Sequence, residues 1–181
     1  MTHNSYNPEW LRIPFDKATL NIIPKQYKKN YLSRTKLKLG QKILNVSYFE
    51  NLFEKQGVKI INPEQLPYQE QISYITGAEE IACTMGTLSH WLLFGKDNAN
   101  AKLLYRDHEY DDNTLSRQSI INELKNIRCI YIDVSLNFLP SRFHFFNSKV
   151  VGPTQYWKQF VKSENFSGIL TCTSKICLLR H

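Results

Sequence analysis

The chain has 181 residues, of which 42% are hydrophobic and 22% are charged. These values exclude a disordered or low-complexity chain, and the length fits one domain with at most a small appendage. The formal net charge is +7, and it comes entirely from the segment between Lys17 and Lys42, which has eight basic residues and no acidic one. The natural partner of such a segment is an anion (phosphate, nucleic acid or an acidic membrane surface), although a solvated basic strip also fits.

The predicted elements alternate between helices and strands along the chain. Residues 1–26 contain three prolines and predict an irregular N-terminal extension with room for one short helix. Apolar periodicity then predicts one Rossmann-like domain over 27–165, followed by a C-terminal tail over 166–181. The predicted strands cover 29–34, 58–61, 80–83, 102–105, 129–134 and 149–151, and the predicted helices cover 46–56, 68–76, 86–94, 115–126 and 153–162. This alternation implies an α/β fold: a parallel sheet with right-handed crossovers and flanking helices.

The four cysteines lie at positions 83, 129, 172 and 177, without a CxxC pair or zinc-type spacing to a histidine. This usage predicts a reducing compartment. The first ten residues are polar, unlike a signal peptide, and no apolar stretch reaches transmembrane length. We therefore expect a cytoplasmic protein, and peripheral contact with the inner face of the membrane stays open.

The turn after the predicted strand 80–83 is the first candidate site. In an open parallel sheet, ligands bind beyond the carboxyl ends of the strands, where a helix start offers free N–H groups and a positive dipole end. Gly86 allows a phosphate to approach the backbone closely, Thr87 and Ser89 add hydroxyl groups, and His90 lies one turn into the predicted helix. The alternative interpretation is a tight turn whose glycine serves packing only.

The end of the predicted strand 29–34 is the second candidate site. The planar guanidinium of Arg34 can grip a diphosphate through two parallel hydrogen bonds, and Lys36 and Lys38 add point charges on the loop that follows. Lys28, Lys29 and Lys42 are interpreted as solvated surface residues.

The order of four motifs resembles bacterial family-61 glycosyltransferases, which include capsular polysaccharide biosynthesis proteins. The resemblance covers roughly residues 28–162. The motifs are a strand ending in Ser-Arg, a Pro-Glu-x-Leu step, a helix beginning with Glu-Gln and a Gly-Thr-Leu-x-His turn. They are matched here by Leu32-Ser33-Arg34, Pro63-Glu64-Gln65-Leu66, Glu70-Gln71 and Gly86-Thr87-Leu88-Ser89-His90.

The resemblance implies the C-terminal, donor-binding half of a two-domain GT-B enzyme that is inverting and independent of a bound metal or other cofactor. The donor would be a nucleotide sugar (a UDP-, CMP- or GDP-sugar, not determined by the sequence), and the acceptor a surface glycan in capsule or lipopolysaccharide assembly. Residues 62–66 would border the base and ribose. Six residues would form the donor site: Arg34 and Lys38 at phosphate, Gly86, Thr87 and His90 around the diphosphate, and Glu70 at a ribose hydroxyl.

The chain also departs from the family pattern. Met85 and Trp91 stand where many relatives have His and Asn. The resemblance also leads us to expect that the 181 residues of the sequence contain little of the N-terminal domain, which in the family carries acceptor contacts and usually the general base. No catalytic residue is therefore assigned. The acids in 107–112 are interpreted as a solvated loop, and Asp133 is as well suited to capping a loop as to facing the cleft. No HxH or DxD pattern supports a metal site.

Two further functions compete with a complete enzyme. The first is a truncated or split nucleotide-binding module that needs a partner chain for catalysis. The second is a basic nucleic-acid-binding protein, which ranks last because the basic segment lacks a recognisable reading element, so no nucleic-acid partner is expected. The aromatic stretch 138–146 is interpreted as a contact surface for a partner domain, a partner chain or a membrane.

Overall fold

A computed structural model describes residues 8–37, 43–44, 46–105, 112–134, 149–150 and 154–163. The strands are β1 (Lys29–Leu32), β2 (Ile43–Leu44), β3 (Lys59–Ile61), β4 (Glu80–Thr84), β5 (Asn100–Tyr105), β6 (Arg128–Asp133) and β7 (Lys149–Val150). The helices are α1 (Pro8–Thr19), α2 (Val46–Lys55), α3 (Tyr68–Gly77), α4 (Asp112–Leu124) and α5 (Gln155–Ser163), with 3-10 helices at Pro63–Gln65 and Ser89–Phe94. None of the helices in these ranges has both the length and the apolarity to span a bilayer.

Five strands form one sheet in the order β3-β1-β4-β5-β6, and every pair is parallel. The chain builds outward from β1, first to β3 on one side and then to β4, β5 and β6 on the other. This is the order of a doubly wound, Rossmann-like fold, and its direction reverses between β1 and β4. The predicted α/β fold with a parallel sheet and flanking helices is confirmed. A separate parallel pair joins β2 to β7. The strand β7 agrees with the one predicted at 149–151, whereas β2 and its pairing were not predicted.

The two faces of the sheet bury different kinds of side chain. Successive strand residues point to opposite faces, so Tyr31 and Leu32 enter different cores. On the first face α2 and α5 supply an aromatic layer in which the Trp157 ring lies 4.9 Å from Phe49. On the second face α3, the 3-10 helix Ser89–Phe94 and α4 supply a mainly aliphatic layer. Layers on both sides bury the sheet, as parallel sheets require.

The predicted irregular extension contains α1, a 12-residue helix that packs on the second face. The Phe15 ring meets Phe94 edge to face at 5.2 Å. Four charged residues, named here the charge cluster, join α1 to the end of α4 and the start of β5: Arg12–Asp97 at 2.7 Å, Lys125–Asp16 at 2.9 Å and Lys125–Asp97 at 3.3 Å. The domain boundaries at 27 and 165 stay predictions, and the tail 166–181 lies outside the described residues.

The α-helix predicted over 86–94 is replaced by a turn and a 3-10 helix at Ser89–Phe94. The N–H groups of Ser89, His90 and Trp91 each donate to the carbonyl three residues earlier, at 2.9 to 3.3 Å. The Ser89 hydroxyl also bonds to Gly86, and such local bonds compete with α-helical ones. The predicted α-helix over 86–94 is therefore wrong, and its place is taken by a tighter helix of six residues.

Candidate functional site

The carboxyl edge of the sheet is where the two sequence-predicted anion sites come together. Leu32 of β1 lies opposite both Ile61 of β3 and Cys83 of β4. The loops that leave these three strands therefore begin side by side, at the point where the winding direction reverses. That crevice is the binding position of open α/β sheets.

The loop after β1 is held by its neighbours. The Ser33 N–H donates to the Ile61 carbonyl at 2.7 Å, and the Thr35 N–H donates to the Ser33 hydroxyl at 3.2 Å. The Thr35 hydroxyl lies 2.6 Å from Glu50 Oε1 and 3.2 Å from Asn62 Oδ1. Because a hydroxyl carries one proton, it donates to the carboxylate. These bonds tie the loop to α2 and to the end of β3.

Arg34 lies inside this braced loop and is half-buried. Its carbonyl accepts the Leu37 N–H at 3.2 Å, which closes a turn. Among the residues that the structure describes, no carboxylate or other acceptor meets its guanidinium group. An arginine with free donors in a fixed loop is suited to bidentate binding of a phosphate or carboxylate.

The Gly86 turn, residues 85–89, follows β4 at the same edge. Gly86 has φ of +121°, a conformation that only glycine adopts readily. Ser89 is fully buried, and its Oγ lies 2.7 Å from the Gly86 carbonyl oxygen and 3.3 Å from the Gly86 nitrogen. The turn is therefore closed from inside, and the Gly86 N–H is already engaged.

Two backbone donors in this turn stay available. Within the described ranges, the N–H groups of Thr87 and Leu88 have no hydrogen-bond acceptor. Thr87 is exposed, whereas the Leu88 side chain is buried. Consecutive backbone N–H groups that point to one place form an anion-binding concavity. In this turn the unbonded N–H groups among the described residues are therefore those of Thr87 and Leu88, and the Gly86 N–H is not one of them.

A polar network, buried at Ser89 and Gln118 and reaching the surface at Tyr131, connects the Gly86 turn to α4 and β6. Ser89 Oγ lies 2.6 Å from Gln118 Oε1, and Gln118 Nε2 donates to Asn122 Oδ1 at 2.9 Å. The Asn122 amide then donates to the Tyr131 hydroxyl at 3.0 Å, and burial raises the pKa of Tyr131 to about 12. The contact of Gln118 with Ser89 could not be predicted from the sequence, because it depends on the packing of α4 against the turn.

His90 lies beside the turn, close to Arg117 of α4. Burial lowers the pKa of His90, and the charge of Arg117 lowers it further. The imidazole is therefore neutral at neutral pH, able to donate from one nitrogen and accept at the other. Arg117 is exposed and has no ion-pair partner in the described part of the chain. Nothing in the sequence distinguished Arg117 from other surface arginines.

The predicted site residues therefore have different positions. Gly86, Thr87 and His90 lie together at one turn, and Arg34 follows the adjacent strand. Glu70 lies on α3 with its carboxylate 3.7 Å from Lys25 Nζ, in the segment that leads into β1, and its ribose contact stays a prediction.

Several other predicted features fall in parts of the chain that the structure does not describe. Lys38, the acids 107–111 and the aromatic stretch 138–146 lie outside the described residues. In the described ranges, no group of three or more His, Cys, Asp or Glu side chains could hold a metal ion.

The chain matches a known protein family over a range that includes most of these site residues. The family model described as glycosyltransferase 61 matches residues 2–102, more than half of the chain. The matched range begins before residue 28 and ends before residue 162, the two limits expected from the sequence. It includes Arg34 and the Gly86 turn, whereas Arg117 and Gln118 lie beyond it. A search of curated proteins finds none that matches.

Proposed function

We propose that this chain, which belongs to the glycosyltransferase 61 family, binds a nucleotide-sugar donor at the carboxyl edge of its sheet. The observation that carries the proposal is the set of unpartnered donors there: the Arg34 guanidinium and the Thr87 and Leu88 N–H groups. The donor's diphosphate supplies the negative oxygens that these groups lack. The sugar then goes to a surface-glycan acceptor in capsule or lipopolysaccharide assembly.

The proposed binding mode assigns one task to each group. Arg34 holds phosphate oxygens through its planar fork, and charge-assisted bonds of this kind are about twice as strong as neutral ones. The two backbone N–H groups bind the other phosphate at fixed positions, because Ser89 locks the turn from inside. Neutral His90 is placed to donate a hydrogen bond at the rim of this pocket.

Transfer with inversion needs three events at the anomeric carbon. The acceptor oxygen forms the new bond, the bond to the nucleoside diphosphate breaks with its electron pair, and a base takes the acceptor's proton. The groups named here act on the second event, since they bind the leaving diphosphate as its charge grows. In this proposal the Arg34 charge and the two N–H dipoles stabilise the leaving diphosphate, as a bound metal ion would.

A donor-binding module that needs a partner chain is the second candidate function. Two of the described carboxylates, Glu50 and Glu70, are already engaged by Thr35 and Lys25. Glu64, exposed in the 3-10 helix after β3, is the base to test for a complete enzyme. In the second candidate function the partner supplies the base and the acceptor site. Adding a candidate partner chain and measuring sugar transfer separates the two candidates.

Thermal unfolding and calorimetry with UDP-, GDP-, CMP- and dTDP-sugars test donor binding. A ligand at a hundred times its dissociation constant adds about 2.7 kcal/mol of stability. We expect such a shift with one class of nucleoside diphosphate sugar and not with the CMP-sugar, which has a single phosphate. We also expect a ten- to hundredfold weaker affinity in Arg34→Ala, as expected for about 1.5–3 kcal/mol per charged hydrogen bond.

The matched control is Arg128→Ala, which removes an exposed arginine from the opposite edge, where β6 begins. This variant should bind like the wild type. If no nucleotide sugar stabilises the folded protein at millimolar concentration, or if both variants lose affinity equally, the proposed site is wrong.

A further inference from the structure

One side of α1 exposes apolar side chains that nothing in the described part of the chain covers. Trp10 is 75% exposed and Ile13 is 49% exposed, and the chain continues beyond the helix with Leu20 at 77% and Ile23 at 87%. The opposite side of α1 carries Arg12, Phe15 and Asp16, which contact the 3-10 helix Ser89–Phe94, α4 and the residues before β5. The exposed side chains therefore point away from the body of the domain.

The same surface has an excess of positive charge. Lys17 lies between Ile13 and Leu20 on the outer side of α1, exposed, and among the described residues it has no acidic partner. Asp16, its acidic neighbour, is bound by the buried Lys125. No acidic residue follows until after Lys42. Exposed apolar side chains beside a lysine without an acidic partner fit a helix that lies in the interface of an anionic membrane.

We propose that this outer surface, formed by Trp10, Ile13, Lys17, Leu20 and Ile23, docks on an anionic lipid bilayer. Trp, Ile and Leu side chains enter the boundary between headgroups and acyl chains, and Lys17 stays at the level of the phosphates. The charge of Lys17 is complementary to anionic headgroups, because a lysine near an anionic surface strengthens attachment. The inference is independent of the proposed donor site.

The geometry explains how the helix stays folded when no membrane is present. Its inner side is held by the charge cluster and by the Phe15–Phe94 contact. Docking therefore uses a preformed surface and carries little ordering cost. Arg34 and the Gly86 turn are not part of this surface, so lipid binding and donor binding are separable in experiment.

Co-sedimentation with vesicles tests the proposal on the full chain. The probes are phosphatidylcholine vesicles and vesicles of phosphatidylcholine with phosphatidylglycerol in equal amounts, each at low and high salt. We expect binding to the anionic vesicles only, weakened by salt. Trp10→Ser combined with Ile13→Ser should lower the partition constant at least tenfold, and Lys17→Glu at least about fivefold.

The matched control is Ile130→Ser, which makes the same polarity change at an exposed position on β6. It should bind vesicles like the wild type, and circular dichroism confirms that every variant is folded. Three results would overturn the proposal. They are no binding of the folded chain to anionic vesicles, equal loss in the control, and a dimer in sedimentation velocity that the Trp10/Ile13 variant abolishes while vesicles are ignored.

Discussion

At the amino edge of the sheet, where the strands begin, buried charge is paired; at the carboxyl edge it is not. Lys125, with its side chain 6% exposed, lies within 3.3 Å of both Asp16 and Asp97. At the carboxyl edge, half-buried Arg34 and two backbone N–H groups have no acceptor in the described structure. Paired groups stabilise the fold, and fixed but unpaired donors are suited to a ligand from outside. The comparison predicts that mutations at the amino edge change stability alone, whereas those at the carboxyl edge also change donor binding.

The largest expected effect comes from removing both acids around Lys125. In Asp16→Ala combined with Asp97→Ala, a buried ammonium group loses its partners, and we expect a loss of about 2–3 kcal/mol in the free energy of unfolding. The value is at the lower end for a buried pair because both acids are nearly half exposed. Urea unfolding measures it.

Lys125→Met is the matched control for that pair. It removes the buried charge and keeps the side-chain volume, so we expect little change in stability. Donor affinity should be unaltered in both variants. A double aspartate variant as stable as the wild type would show that the charge cluster does not hold α1, and changed donor affinity would contradict the separation of the two edges.

The next largest effect is expected at Gly86. A side chain at φ of +121° is strained, and Gly86→Ala should cost about 1–2 kcal/mol of stability together with most of the donor affinity. Gly57→Ala is the control, because Gly57 also has a positive φ, of +72°, but ends α2 in open space. It should lose about 1 kcal/mol and no affinity. Equal affinity loss in both variants would mean that strain alone, and not the turn, reduces binding.

A smaller effect is expected from the network behind the turn. Ser89→Ala removes the hydroxyl that contacts the Gly86 N–H and the buried Gln118 amide, and should cost about 1 kcal/mol, with a weaker donor affinity. Gln118→Met should cost about the same. If the two residues act together, the double variant costs less than the sum, and chemical denaturation of all four proteins gives the coupling. Full additivity would exclude Gln118 from positioning the turn.

The smallest effect is a pH dependence from His90. Its pKa in the folded protein lies below the ordinary value of 6.5, so the unfolded chain binds more protons as the pH falls. The contribution of His90 to stability is complete above pH 6.5 and is lost as the pH falls through the lowered pKa. NMR titration should give a pKa below 6.5 that rises when a nucleoside diphosphate binds, since a nearby anion favours the charged imidazole. A pKa unchanged by saturating nucleotide would place the phosphates elsewhere.

The sheet, the two loops and the family could be predicted from the sequence, because these features depend on local patterns. The short apolar run of β4, which is typical of a strand buried on both faces, and the Gly86 position are visible along the chain. Helix α1 was not defined by its pattern, since Pro14 lies inside it and its anchors Asp97 and Lys125 are distant in sequence. The 3-10 helix and the roles of Gln118 and Arg117 depend on tertiary contacts that no spacing encodes.

The backbone amide spectrum of the protein, recorded with and without the nucleoside diphosphate that the thermal measurements select, tests the central claim most directly. We predict that the Thr87 and Leu88 N–H resonances move most, because these two groups receive the phosphate, and that Glu79 and Arg128 at the amino edge do not move. Saturation of the protein with Thr87 and Leu88 unchanged, or with the largest shifts at the amino edge, would contradict the account.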